Sequence, residues 1–219
     1  MNLKKQEGVA LIVVMILLVL AASSYLLRRT PHQELALNAD KNSEIALARA
    51  KLALIGWAMG NAARPGELPC PDTNNDGLAE NTCTPAPGSQ MVRGRLPWKN
   101  LSLPDSFDIA QERLWYAVSA DFSPATSKKI DAGTAGQLAL DSTNKLVALV
   151  IAPGRVLIPQ TGRPNNTVSN YLEDDNADND NIFVSLSGSA FNDHILKITE
   201  SDLSQVNFSG GKKTGKKKK

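Results

Sequence analysis

The hydrophobic positions of this chain change character along its length. Residues 9–27 carry no charge and are almost wholly apolar, from Val9-Ala10-Leu11-Ile12 to Leu26-Leu27, ending at Arg28-Arg29. Nineteen such residues rise roughly 28 Å as a helix, about the thickness of a bilayer's hydrocarbon core. Thr30-Pro31 follows, where a proline removes one backbone bond and bends a helix axis. From Glu34 to Met59, Leu35, Leu37, Ile45, Leu47, Leu52, Ile55 and Met59 recur at roughly helical spacing. Alanines at 36, 46, 48, 50, 53 and 58 add helix propensity. Gly60, Arg64-Pro65-Gly66 and Pro69 end the pattern. Residues 66–103 are then loop-rich, punctuated by prolines and glycines. Strand-like runs come after them: Gln111–Ser119, Lys145–Ala152, Val156–Pro159, Ile182–Leu186 and His194–Thr199, with a helical turn expected at Ser201–Gln205. A long helix, an irregular loop and several short strands together predict an α+β fold with an antiparallel sheet.

The flanks of the apolar run permit two readings. One is a signal anchor, or a signal peptide cut near Ala21-Ala22-Ser23. The other rests on the leader Lys4-Lys5-Gln6-Glu7-Gly8 followed by Val9-Ala10-Leu11-Ile12-Val13-Val14. That arrangement resembles the prepilin signal of type IV pilins and type II secretion pseudopilins. The resemblance implies cleavage after Gly8 by a prepilin peptidase, methylation of the new N-terminal amine on Val9, and retention of the helix as a filament stem. It also sets the direction of the chain, which the nearly balanced flanking charges leave open. One position departs: the family usually has Glu at the fifth residue after the cut, and this chain has Val13. In the family that departure is typical of minor subunits placed at a filament tip.

Aromatic residues make up only 5% of the chain, so a small core helped by other staples is expected. Cys70 and Cys83 flank a polar loop and suit a disulfide in an oxidising compartment. Two unpaired thiols are the other reading, and the spacing fits no zinc site. The 24 basic residues exceed the 22 acidic ones only because six lysines crowd into Lys212–Lys219. The body is therefore mildly acidic, and residues 209–219 read as a disordered, solvated tail with no specific nucleic-acid partner.

Inside the cysteine loop, Asp72, Asn74 and Asp76 alternate before Gly77, and Glu80 follows. Alternation in a tight turn aims oxygens at one point, so these four residues are the candidate calcium ligands. A polar turn held by Asx bonds is the competing reading, and Cys83 stands where a full EF-hand loop would have Glu. A second acidic stretch, Glu173–Asn181, reads as a solvated loop, a calcium site or a contact surface. Catalytic signals are poor. The chain has two histidines, His32 and His194, and lacks nucleophile-elbow, zinc-protease, dinucleotide and phosphate-loop motifs. Trp57, Trp98 and Trp115 read as core or interface anchors. No enzyme is expected.

The resemblance extends along most of residues 1–208, through Leu68-Pro-Cys-Pro-Asp-Thr-Asn-Asn-Asp-Gly, Gly94-Arg-Leu-Pro-Trp, Arg113-Leu-Trp-Tyr-Ala-Val-Ser, Tyr171-Leu-Glu-Asp-Asp-Asn-Ala-Asp and Phe191-Asn-Asp-His. It implies a pilin-like head, with a long N-terminal helix packed on a small antiparallel sheet beside the disulfide loop. Bound calcium in some pseudopilins makes calcium the candidate cofactor. Phe107-Asp108-Ile109 replaces the Trp-Gly pair of major pseudopilins, which argues against a major-subunit role. The expected organisation is a leader (1–8), a transmembrane helix (9–29), a periplasmic head (30–208) and the tail (209–219). Function is expected to be that of a minor pilin or pseudopilin, held as a single-pass inner-membrane protein before joining a pilus or pseudopilus. Expected partners are other pilin subunits, the peptidase and the inner membrane. The alternative is a signal-anchored periplasmic module that binds a ligand with calcium.

Overall fold

The computed structural model describes residues 4–204 apart from 106, 109 and 187, with the side chains of 4–9 and 26–41 outside the description. The tail at 209–219 thus lies outside the described residues, and of Gly8, Val9 and His32 only the helical backbone is described. The chain divides into two compact units, 1–41 and 42–219, which are taken separately below.

Helical backbone extends over Lys4–Gly60, but its fully described parts are two shorter helices, 10–25 and 42–60. In the first unit, the side chains of Leu11 to Leu20 are all about half exposed or more. The membrane expectation is corrected here. Among the described residues no helix is long and apolar enough to cross a membrane. The described stretch 10–25 spans roughly 24 Å as a helix, short of the ~20 apolar residues that a crossing needs. The expected single-pass inner-membrane placement with a periplasmic head is therefore not supported.

The second unit is built on a six-stranded sheet: β1 (Met91–Arg95), β2 (Trp115–Ser119), β3 (Leu138–Leu140), β4 (Thr143–Ala152), β5 (Ile182–Phe183) and β6 (His194–Thr199). Its order is β1-β2-β4-β3-β5, with β6 also paired to β4. The pairs are antiparallel except β3 with β5, which run parallel. Long β4 has β2 and β3 in succession along one edge and β6 on the other, and Leu146 pairs with both Leu138 of β3 and Thr199 of β6. The expected pilin-like arrangement is corrected accordingly. The sheet is mixed, curled and six-stranded rather than small and antiparallel, and the helical stretch packed on it is 42–60.

Both faces of this sheet are covered. One carries the helix 42–60, whose Leu47, Ala50, Leu54 and Ala58 meet Val92, Tyr116, Val118, Val150 and Ile198. The 3- and 4-residue steps of that stripe keep it on one helical face, and alanine brings the backbone close to the sheet. Lys51 pins the helix further, donating to the Lys197 carbonyl at 3.0 Å and pairing with Asp202 at 2.9 Å. The other face of the sheet is covered by chain from 160 to 190. There Tyr171, Leu172 and Phe183 pack on Trp115, Ala117, Leu149 and Ile151. Successive residues of β2 and β4 thus point into different cores, which is why β4 reads as an unbroken apolar run.

Candidate functional site

Cys70 and Cys83 form a disulfide with their Cα atoms 5.8 Å apart. Within the loop it closes, Asp72 is almost wholly buried and both its carboxylate oxygens accept backbone amides. Oδ1 takes those of Asn74 and Asn75 at 3.1 and 2.6 Å, and Oδ2 takes that of Gly77 at 2.6 Å. Asn74 Oδ1 accepts the Asp76 amide, and Asp76 Oδ1 accepts that of Leu78. Glu80 Oε1 accepts from the amide and hydroxyl of Thr73. The four expected calcium ligands thus stand on one loop, but each turns an oxygen onto the loop's own N–H or O–H groups. Asp72, Asn74 and Asp76 thus form successive Asx turns. Among the described residues, no group of three or more His, Cys, Asp or Glu side chains is gathered for a metal.

The loop is fastened to the Leu-Pro-Trp segment. Gly77 has φ +87°, and a Cβ there would lie 2.5 Å from Trp98 Nε1, so the indole occupies the place of a side chain. Arg113 reaches over from the far side. It forks onto Asp105 at 2.9 and 2.7 Å and donates to the Asn75 carbonyl at 2.7 Å. The same loop also extends the sheet, because Asp72 and Arg95 exchange both backbone hydrogen bonds, at 2.9 and 2.7 Å.

The second acidic stretch separates by burial. Asp174, Asp175, Asp178 and Asp180 are exposed, while Glu173 and Asn176 turn inward to meet Asp193. Glu173 Oε1 accepts from Gln160 at 2.6 Å, and Asn176 donates to Asp193 Oδ2 at 2.9 Å. Burial first, and the neighbouring Glu173 carboxylate second, push the Asp193 carboxyl up to about 8. Glu173 is raised as well, chiefly by burial. Burial likewise raises Asp108, whose carboxylate accepts the amides of Glu112 and Gly154. Nothing in the sequence marks Asp193 strongly. Its only signal was a carboxylate two residues after a buried Phe and directly before a strand.

A third cluster was missed altogether. The guanidinium of Arg95 is sandwiched between the rings of Trp115 at 4.1 Å and Tyr171 at 3.9 Å, and Arg163 lies 4.4 Å from the Tyr171 ring. Arg95 is 3% exposed. It reaches the Arg113 carbonyl at 2.9 Å and the Asn165 carbonyl at 3.2 Å, tying the 160–180 segment to the sheet. Arg93, two residues earlier on β1, donates to the carbonyls of Asn176 and Ala177 at 2.7 and 3.1 Å. The sequence signal was the Arg-Gly-Arg alternation itself. A period of two puts both arginines on one face of a strand whose other face carries Val92 and Leu96.

His194 is exposed at the start of β6, Trp115 is buried, and Trp57 and Trp98 are half-buried. In comparisons with known proteins, no family model, no curated protein and no solved structure matches this chain.

Proposed function

We propose that this chain is a minor structural subunit of the type IV pilus or type II secretion pseudopilus class, working by assembly with other subunits. The observation that carries the reading is the exposed apolar surface of its helical segment. Every residue from Leu11 to Leu20 is between 49% and 66% exposed, which is a continuous apolar surface in need of a cover. In the second unit, Ile45, Leu52 and Met59 form a further exposed row, spaced seven apart on the helix 42–60. Helices of neighbouring subunits are the cover this chemistry suits. The resemblance of the leader supports the same reading, with cleavage after Gly8 supplying the mature N-terminus at Val9. The reading does not rest on the architecture of the head.

The test is the mass of the chain recovered from cells that hold an active prepilin peptidase. The expected product lacks residues 1–8 and carries a methylated Val9, and Gly8→Leu blocks both processing and incorporation into filaments. An uncut chain, or filament incorporation indifferent to Gly8→Leu, overturns the proposal.

A further inference from the structure

The turn that follows β4 holds large apolar side chains out in water. Ile158 is 98% exposed and Val156 is 53% exposed. Hydrogen bonds fix this turn at its base. The Leu157 N–H donates to Gln160 Oε1 at 2.9 Å, and the Gln160 N–H donates back to the Leu157 carbonyl at 2.7 Å. Arg163 donates to the Gly154 carbonyl at 2.9 Å, and Asn192 Nδ2 donates to that of Arg155 at 2.8 Å. An apolar tip on a fixed base has little conformational freedom left to lose on contact, which favours binding.

A hole lies beside this knob. A cleft of about 720 Å³ is bounded by the start of the helix 42–60, the chain joining β5 to β6, and β6 itself. Its apolar walls are Leu47 and Ala48, Leu186 and Phe191, and Ile195 and Leu196. Asn192 joins the two features. It lines the cleft, it holds the Arg155 carbonyl, and its side chain lies 2.7 Å from where a Cβ of Gly154 would stand. A volume of that class takes several side chains at once. The charges are complementary as well. Arg155 is exposed on the knob, Glu44 is the exposed carboxylate of the cleft, and among the described residues neither makes an ion pair. Asp193, the other carboxyl group of the lining, is buried, and its Oδ2 accepts from Glu173 and Asn176.

We propose that knob and cleft join two copies of this chain about a twofold axis, with Ile158 of each copy seated in the cleft of the other and Arg155 set against Glu44 of the partner subunit. A knob and a hole side by side form a self-complementary patch, and a half turn of one copy presents each feature to its counterpart. Ile158 and Val156 supply the apolar surface that leaves water, and the Arg155–Glu44 pairs fix the register. The patch is small, which sets the pair among weak and reversible complexes. The inference is independent of the assembly reading, because it needs neither the leader nor a filament and rests on the second unit alone.

The experiment uses the full chain in neutral detergent, with Ile158 replaced by the photo-crosslinker p-benzoylphenylalanine and with unlabelled and 15N-labelled chains mixed in equal amounts. Adducts that join peptides of different isotope arise between two copies, which separates them from contacts within one copy. The expected result is mixed-isotope adducts that map to the cleft, at Glu44–Ala48 or Phe191–Leu196. Arg155→Glu and Glu44→Arg each set like charges together, and each is expected to lower the yield of these adducts about fivefold or more. A mixture of those two variants restores an opposite pair at both contacts, so it is expected to recover the yield of the parent. Both side chains are exposed, so neither change enters a core. The proposal is overturned if mixed-isotope adducts are absent or map away from the cleft, if either charge variant crosslinks like the parent, or if the mixture recovers nothing.

Discussion

Glu173 and Asp193 each accept the backbone amide of the other: Asp193 Oδ2 takes the Glu173 N–H at 3.1 Å, and Glu173 Oε2 takes the Asp193 N–H at 3.2 Å. Glu173 Oε2 also accepts the Asn192 amide at 3.0 Å. This reciprocal pair locks the segment after Tyr171 to the entrance of β6. Two carboxyl groups pressed together away from water cannot both ionise cheaply, so the arrangement is most stable with a proton on it.

That proton makes stability depend on pH in a stated direction. The folded-state pKa of Asp193, about 8, lies above the ordinary value of 3.8, so the folded chain binds the proton more tightly than the unfolded chain. The associated stability is fully present below about pH 4 and is lost as pH rises through 8. Glu173 and Asp108 are shifted in the same direction, whereas Asp202 is lowered and opposes them over a more acidic range. The melting temperature is expected to fall between pH 5 and pH 8.5. Asp193→Asn keeps one acceptor oxygen for Glu173 and Asn176 and removes the charge. It is expected to flatten that slope and stabilise the fold at pH 8.5 by about 1–3 kcal/mol. Melts of parent and variant across the range check it, and parallel slopes would sink the assignment to Asp193.

The disulfide closes a loop whose ends are 13 residues apart and which also extends the sheet through Asp72 and Arg95. Paired replacement of Cys70 and Cys83 by alanine is expected to cost about 3 kcal/mol. The denaturant midpoint of the variant should match that of the reduced parent. A midpoint unchanged by reduction would show that the loop's Asx turns suffice on their own.

Two glycines should respond in opposite ways to alanine. Gly77 has φ +87° and meets Trp98 where its Cβ would stand, so Gly77→Ala combines backbone strain with a clash against an indole. A loss of about 2–4 kcal/mol is expected, with a change in tryptophan fluorescence. Gly56 is exposed within the helix 42–60, and nothing lies within 4 Å of its Cβ position. Gly56→Ala is expected to stabilise by about 0.5–1 kcal/mol, since only helix propensity changes. Thermal melts of both variants decide the matter.

The strands were legible where packing on both faces wrote a long apolar run. Lys145–Ala152 falls within β4, and His194–Thr199 coincides with β6. β1 was not legible, because Met-Val-Arg-Gly-Arg reads as polar until the 160–180 segment is seen to bury both arginines. β3 and the parallel β3–β5 pair are too short to leave a periodic signal, so the mixed character of the sheet could not be read. Val156–Pro159 is not a strand, and its Ile158 is 98% exposed. The helix was expected, and its buried face in part: Leu47 is buried and Ile55 packs against the core. Of the other apolar residues at helical spacing, Ile45, Leu52 and Met59 face outward, whereas Ala50 and Ala58, expected only to add helix propensity, are buried. Alanine carries little weight in a hydrophobic pattern, yet a close helix–sheet contact selects for its small size.

That inversion separates folding from assembly in a single helix. Leu54 is fully buried against the sheet, while Leu52, two residues away, is 69% exposed. Leu54→Ala removes buried methyl groups and leaves a cavity, so it is expected to cost about 2–5 kcal/mol, read as a lower melting temperature. Leu52→Lys touches no core and should leave stability within about 0.5 kcal/mol of the parent. If the outward row of Ile45, Leu52 and Met59 packs against neighbouring subunits, Leu52→Lys buries an unpaired charge in that contact and blocks incorporation into filaments. Melting and filament incorporation, measured on the same two variants, should therefore dissociate. A Leu52→Lys chain that both folds and assembles like the parent would remove this row from the assembly surface.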